Sequence, residues 1–289
     1  MFTKKVNKLP KNTIEITVNI PKTDIKNEFD GAFDRLHKNL TVPGFRQGKA
    51  PKVIAEKHIA KDAIYQELIK EMLPRIYEDL IKSESLTPII SPKIDLTKAK
   101  ENDDWEIKFI VAEKPEVKLG AYKEGIKKIK SEKKKDEIWV PGKEKKDEVS
   151  QKSDNKQALL NDILNVVIKE CKVEIPDLII EQELNNRLSR LVDDIQKVGL
   201  TTDSYLKSKN LTMDSLKDSL KKEINDTYAV EFILNEIADN EKITVEEKDL
   251  DKLFTSIQEP KQRESARANA YFYAGIMKKQ KTLDFLLDL

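Results

Sequence analysis

One cysteine, Cys171, and two histidines, His37 and His58, are all that 289 residues contain of the side chains most used for metal ligation and nucleophilic catalysis. A single thiol cannot form an intramolecular disulfide, and Cys171 falls on the helical spacing of Leu160, Ile163 and Val167, the setting of a buried structural thiol. A reducing compartment fits. Each histidine stands among charged neighbours on an expected helix, which favours a surface role over ligation or general base work. There is no zinc spacing, no dinucleotide fingerprint and no nucleophile elbow, and the many Asp and Glu are spread as solvated helix faces. No metal, cofactor or reaction is therefore expected. Aromatic residues make up only 6%, which favours helices with narrow apolar stripes over one large compact core. No apolar run approaches a membrane span, and Lys4, Lys5 and Lys8 near the start are not followed by an apolar signal region. The expectation is a cytoplasmic protein with no membrane partner.

What the chain does have is charge: 36% of residues are Asp, Glu, Lys or Arg, nearly balanced at a net +1. The length suits two domains. Ile14, Ile16, Val18 and Ile20 alternate with polar residues, as do Trp105, Ile107, Phe109 and Val111, and Ile94 with Leu96 makes a shorter third case. Period two marks half-buried strands. Between them Ile25, Phe29, Phe33, Leu36 and Leu40, then Ile64, Leu68, Met72, Ile76 and Leu80, recur at helical spacing. Pro74 lies inside the second stripe and should kink or divide it. Residues 1–115 therefore read as an α+β N-terminal domain, a small antiparallel sheet with helices.

Residues 123–148 hold ten lysines and seven acids with little apolar periodicity, so 116–152 read as a charged linker. Its one apolar cluster, Ile138-Trp139-Val140, suits a tethering contact. Residues 153–289 turn almost wholly helical, with stripes such as Leu184, Leu188, Leu191, Ile195, Val198 and Leu216, Leu220, Ile224, Tyr228, Phe232. Thr244 with Glu247 suggests a capping box. A final helix should carry Ala266, Ala270, Tyr273, Ala274 and Met277 on one face. The fold class expected is thus an α+β domain followed by an elongated all-α C-terminal domain. Net charge divides as well, +3 over residues 1–122 and −5 over 151–289. A basic end and an acidic body favour tethering to a polyanion by one end.

The most informative segment is Gly44-Phe45-Arg46-Gln47-Gly48-Lys49-Ala50-Pro51, expected as a loop between two helices because Pro43 cannot continue one and Pro51 suits the start of the next. Its glycines permit a tight backbone. Leaving Phe45 in water forgoes about 1.5 to 3 kcal/mol, so it either folds back onto its own domain or enters a partner. From Arg35 to Lys61 there are seven basic residues against one acid, Glu56, a patch that suits a polyanion with the aromatic as anchor. A phosphate-binding loop is excluded, since three residues separate the glycines instead of four and Ala50 stands where Ser or Thr is required. The loop alone leaves capping and docking open.

The run from Val42 to Pro51 resembles the signature loop of the trigger factor family, ribosome-docking chaperones. The resemblance covers residues 1 to about 122 and resumes near 153, through Ile175-Pro176-Asp177-Leu178-Ile179-Ile180-Glu181-Gln182-Glu183. It implies that Phe45, Arg46 and Lys49 dock on the large ribosomal subunit at the exit tunnel, protein and rRNA, with Gly44 and Gly48 shaping the loop. Gln47 departs from members that are basic there, which implies weaker docking. The helical body would form two arms around a crevice and offer apolar side chains to unfolded nascent polypeptides without ATP; Tyr271, Tyr273, Met277 and Phe285 are the candidate contacts. The family typically carries a peptidyl-prolyl isomerase domain between the two parts. Here only residues 116–152 occupy that place, too few and too charged for such a domain, so no isomerase activity is expected. The rival readings are an isomerase by family membership and a ribosome- or nucleic-acid-binding factor without clients. A periplasmic chaperone is disfavoured by the missing signal region, and a homodimer of the free protein stays open.

Overall fold

The computed structural model describes residues 2–136 and 148–289. The chain divides into two compact units. The first comprises Met1–Lys114 with Pro176–Ile179, the second Pro115–Ile175 with Ile180–Leu289.

The first unit is an antiparallel sheet covered on one face by helices. Strands β1 (Thr3–Leu9), β2 (Thr13–Ile20), β3 (Lys93–Lys98) and β4 (Trp105–Ala112) run in the order β1-β2-β4-β3. The two alternating segments are its central pair, with Ile16 opposite Phe109 and Val18 opposite Ile107. All four side chains are fully buried. Helices α1 (Lys22–Asn39) and α3 (Lys61–Glu84) lay Ile25, Phe33, Leu68, Met72, Ile76 and Leu80 on that face, and the short α2 (Lys52–His58) adds Ala55. Strand β1 has no counterpart in the expected elements. It is an edge strand, exposed along nearly its whole length and rich in lysine, and its two apolar residues, Val6 opposite Ile16 and Leu9 opposite Thr13, are both exposed. Helix α3 runs through Pro74 as one element. Pro74 and Lys70, whose carbonyl loses its partner, both lie on the exposed side, where water can serve, while the buried stripe beneath holds the helix to the sheet.

The second unit is helical: α4 (Tyr122–Asp136), α5 (Glu148–Glu170), α6 (Asp177–Lys197), α7 (Thr202–Ser208), α8 (Met213–Asn240), α9 (Glu247–Ser256), α10 (Pro260–Ala268) and α11 (Ala270–Asp288). One small ladder joins β5 (Val117–Lys118) to β6 (Lys172–Val173). Helices α5, α8 and α11 pack on one another around buried Ile163, Val167, Ile224, Ile233, Ile237 and Leu286. Cys171 is buried here, and burial pushes its thiol pKa up, away from nucleophilic use.

Two expectations change. Residues 122–136 are not linker but helix α4, packed against α5. Tyr122 and Ile126, one turn apart, are 3% and 0% exposed; an apolar stripe of two residues among so many lysines is too short to register as periodicity. Ile138-Trp139-Val140 lies outside the described residues. The start of α9 is capped two residues later than expected, the Glu246 N–H donating to Asp249 Oδ2 at 3.1 Å, and Lys281 Nζ donates to the Thr244 carbonyl at 3.1 Å. The Thr and Ser box that does form opens α8, where Thr212 and Ser215 exchange bonds of 3.0 and 3.1 Å. No helix among the described residues is long and apolar enough to cross a membrane.

Tyr122 also ties α4 to the end of α8. Its hydroxyl donates to the Glu241 carboxylate at 3.1 Å, and Lys123 Nζ reaches the same oxygen at 2.7 Å. Burial pushes the Tyr122 phenol well up, and its hydrogen bond to Glu241 adds to the rise. A phenol whose pKa is higher folded than unfolded contributes stability that is complete below the unfolded value of about 10 and is lost as pH rises beyond it. Denaturant titrations between neutral pH and strongly alkaline pH should therefore show a loss of stability that is smaller in Tyr122→Phe; parallel pH curves for the two proteins would contradict this.

Candidate functional site: the loop between α1 and α2

Helix α1 ends at Asn39, and its last carbonyls would be orphaned if the chain simply left. The loop satisfies them instead. Leu40 N–H bonds His37 O at 3.1 Å, the Gln47 side-chain amide donates to Asn39 O at 3.3 Å, and Gly48 N–H donates to Leu40 O at 2.9 Å. His37 Nε2 meets Ala50 O at 2.7 Å; a carbonyl only accepts, so this nitrogen carries the hydrogen. The His37 ring stacks on Phe33, centroids 5.9 Å apart. Residues 40–50 thus return to the helix end they departed from, and Val42 and Ala50 are buried at the base.

Between these ties the chain makes two tight turns in succession. Phe45 N–H bonds Val42 O at 3.0 Å and Lys49 N–H bonds Arg46 O at 2.9 Å. The third residue of each turn is a glycine with positive φ, +87° at Gly44 and +70° at Gly48, as a type II turn requires, and Pro43 supplies the preferred second position of the first. Phe45 and Arg46 are where one turn ends and the next begins, at the point farthest along the loop from its closure. The glycines differ in one respect. A Cβ on Gly44 would meet nothing within 4 Å, whereas one on Gly48 would lie 2.5 Å from the Lys38 carbonyl oxygen.

Phe45 is 41% exposed, so it is not a buried cap of the helix pair. Arg46, Gln47 and Lys49 are exposed beside it. The cationic patch is smaller than its sequence count. Arg35 is paired with Glu67 (3.2 Å), Lys52 with Asp34 (2.7 Å) and Lys61 with Glu101 (2.7 Å), acids of the same unit that all lie outside the counted segment. Lys38, Arg46, Lys49 and Lys57 are exposed and form no ion pair among the described residues. Val53, 67% exposed on α2, is a second apolar side chain on this surface. His37, expected as a bystander, is the residue that pins the far end of the loop. Its spacing of four from Phe33 on the α1 stripe was the available signal.

The expected contacts on the helical unit fare unequally. Tyr271 is 96% exposed. Tyr273 is partly buried, edge-on to Phe254 at 5.8 Å, and Phe285 is partly buried with Lys123 Nζ 5.8 Å from its ring centre. Met277 is also partly buried. Helices α9 and α4 thus occupy Tyr273 and Phe285 in part. Phe272 and Ile276, 64% and 48% exposed, join Tyr271 on the outer face of α11. Both fall off the inward face marked by Ala270, Tyr273, Ala274 and Met277, which was the signal for them.

The difference between the two glycines is testable by denaturant unfolding. Gly44→Ala should cost about 1–2 kcal/mol for the left-handed backbone alone. Gly48→Ala must in addition move the Lys38 carbonyl or break the closing bond, and should cost more; equal costs would show that the loop does not close on α1 as described.

Two family models match the chain: Bacterial trigger factor protein (TF) over residues 2–149 and Bacterial trigger factor protein (TF) C-terminus over residues 144–286. The trigger factor of Pediococcus pentosaceus is 36% identical over 159 residues, 55% of this chain and 35% of that protein. That of Lactiplantibacillus plantarum is 42% identical over 113 residues, 39% of this chain and 26% of the relative. The matched part thus spans about a third or less of each relative's length. A solved structure from work on promiscuous substrate recognition in the folding and assembly activities of the trigger factor chaperone superposes with a TM-score of 0.65 at 14% identity, covering 99% of both chains; at that identity the likeness is one of fold. With the N-terminal model matching more than half of its residues and the C-terminal model most of the rest, the chain belongs to the bacterial trigger factor family.

Proposed function

We propose that this chain is an ATP-independent, ribosome-associated chaperone that docks near the polypeptide exit and shields nascent chains from misfolding and aggregation. The observation that carries the reading is the closed loop: a family signature whose backbone is held by its own helix end while Phe45, Arg46 and Lys49 stay uncommitted. A pre-formed loop loses little entropy on docking. Its cations suit a phosphate-rich surface with Phe45 as apolar anchor. In this role residues 1–115 form the docking domain, and the ribosome as partner places the chain in the cytoplasm.

The helical unit supplies the client surface. Tyr271, Phe272 and Ile276 form an exposed apolar patch of the kind that binds many sequences weakly, and Tyr273, Met277 and Phe285 stand behind it. No isomerase activity is assigned to this chain. The two family models overlap at residues 144–149, which supports a direct junction of the N- and C-terminal parts. The rival factor without clients would keep the loop's role and drop that of α11.

Two measurements bear on the reading. Ribosome co-sedimentation should fall at least about tenfold when Phe45, Arg46 and Lys49 are all changed to Ala, since losing two unpaired cations and an aromatic anchor removes a few kcal/mol; equal pelleting would remove the docking role. The purified chain should suppress aggregation of a refolding enzyme while leaving the isomerisation rate of a proline peptide unchanged. Unchanged aggregation would favour the factor without clients, and an accelerated peptide would reinstate the isomerase.

A further inference from the structure

Three ties close the loop between α1 and α2, and side chains make two of them. The backbone tie runs from Gly48 N–H to Leu40 O at 2.9 Å; on either side of it Gln47 Nε2 donates to Asn39 O at 3.3 Å and His37 Nε2 donates to Ala50 O at 2.7 Å. The tied positions alternate with the docking residues. Lys49 lies between Gly48 and Ala50, both fastened, while Arg46 directly precedes Gln47 and Phe45 stands one position further out. Neither the Asn39 nor the Ala50 carbonyl accepts another hydrogen bond among the described residues. Each therefore depends on one side chain. His37 is itself held, its ring stacked on Phe33 with centroids 5.9 Å apart, and Phe33 is buried in the core. Gln47 is exposed. An uncharged side chain beside two docking cations reads at first as a phosphate contact forgone, but its amide is engaged by the end of α1.

We propose that His37 and Gln47 are positioning residues for docking, which act on the partner only through the residues they hold: His37 through Lys49, and Gln47 through Arg46 and Phe45. This rests on the docking reading of the loop and goes beyond it, since part of the affinity then comes from two side chains that touch no partner. A residue left free in the unbound loop must be ordered when it docks, and that ordering opposes binding. With positions 47, 48 and 50 fastened, the ordering is completed when the first unit folds. Docking then meets side chains already in place.

The test titrates the labelled full chain with ribosomes, read by fluorescence anisotropy over a series of salt concentrations, so that affinity and salt slope are obtained together. His37→Phe keeps an aromatic ring against Phe33 and loses the donor. It should bind about fivefold more weakly with the salt slope of the wild type, whereas Lys49→Ala should lower that slope by about 0.7–0.9, the value of one phosphate contact. His37→Gln, which returns an amide donor, should recover most of the affinity. In a chain that already carries Lys49→Ala, His37→Phe should cost less than about twofold, because no side chain at 49 is left to place. Gln47→Leu should likewise cost about fivefold alone and less than about twofold on a Phe45→Ala/Arg46→Ala background; Gln47 is exposed, so this variant is informative even if His37→Phe disturbs the helix. Wild-type affinity in either single variant removes that residue's role. Full costs that persist on the Ala backgrounds overturn the proposal, since a side chain that contacts the partner itself, or one that merely stabilises the unit, would behave in that way. If the proposal falls while Phe45, Arg46 and Lys49 changed together to Ala still abolish binding, the docking reading stands; if that triple variant binds as the wild type does, the docking reading falls and the positioning role with it.

Discussion

The pairing of β2 with β4 is the constraint on which the first unit depends. Register puts Ile14, Ile16, Val18 and Ile20 on the same face as Trp105, Ile107, Phe109 and Val111, and a slip of one residue would turn every one of these side chains toward water. That face is what α1 and α3 cover. The position of α1 in turn decides where residue 39 ends, and hence where the loop is anchored. Closure at Gly48 is therefore a consequence of the sheet: the Leu40 carbonyl to which its N–H donates is held by a helix packed through Ile25, Ala32 and Phe33. A side chain at the loop tip inherits its precision from central strands more than twenty residues away in sequence, which is how a mobile type of segment becomes a fixed surface.

Charge in this unit is organised by pairing more than by composition. Seven basic residues between positions 35 and 61 look like one patch in the sequence, yet the fold brings Asp34, Glu67 and Glu101 against three of them. What remains is a pattern with two signs. Cations are uncommitted on the loop, at Lys38 and at Lys57, and carboxylates are uncommitted at Asp30 and Glu56. On the seven-residue α2, Lys52 and Glu56 line a cleft with Phe29 and Phe33 of α1, while Val53 and Lys57 lie about a quarter turn away, so one short helix presents two surfaces. Exposed pairs such as Lys52–Asp34 contribute little stability; their effect is to subtract charge from a surface that would otherwise attract one kind of partner only.

The central strands, the two sheet-covering helices and the loop were legible because each carries a period or a punctuation of its own: alternation over residues 14–20 and 105–111, a stripe of five on α1 and α3, and prolines and glycines around Phe45. Elements whose stability comes from a neighbour were not. Strand β1 is lysine-rich and acquires structure only through the ladder to β2. Helix α4 is anchored by two side chains, Tyr122 and Ile126, inside a run of lysines that by composition describes a linker. At the loop, the residues that shape it were visible, but the residue that fastens it was not, because His37 works through a carbonyl thirteen positions away. On α11, an aromatic-rich sequence names candidates without saying which face is outward; Tyr273 packs edge-on to Phe254, while Phe272, which meets only the edge of Tyr273 among ring contacts of the described residues, is left exposed.

The exposed patches are individually too small to hold a client. Burying Tyr271, Phe272 and Ile276 would contribute at most about 1.5–3 kcal/mol for each side chain, less what Phe272 and Ile276 already bury, and association costs an estimated 4–15 kcal/mol together with the ordering of a flexible segment. Net binding by one such patch is near zero. A chaperone built this way must combine sites, and joining them in one chain replaces part of each further association cost with an effective concentration. Under the proposed role the loop is the largest of these contributions, because a chain docked at the exit meets its client at a local concentration that no patch could supply by affinity. On the proposed reading, release then needs no nucleotide. As the client folds it withdraws its apolar side chains one by one, each loss lowers the combined affinity steeply, and the weakness of every single patch becomes the condition for letting go.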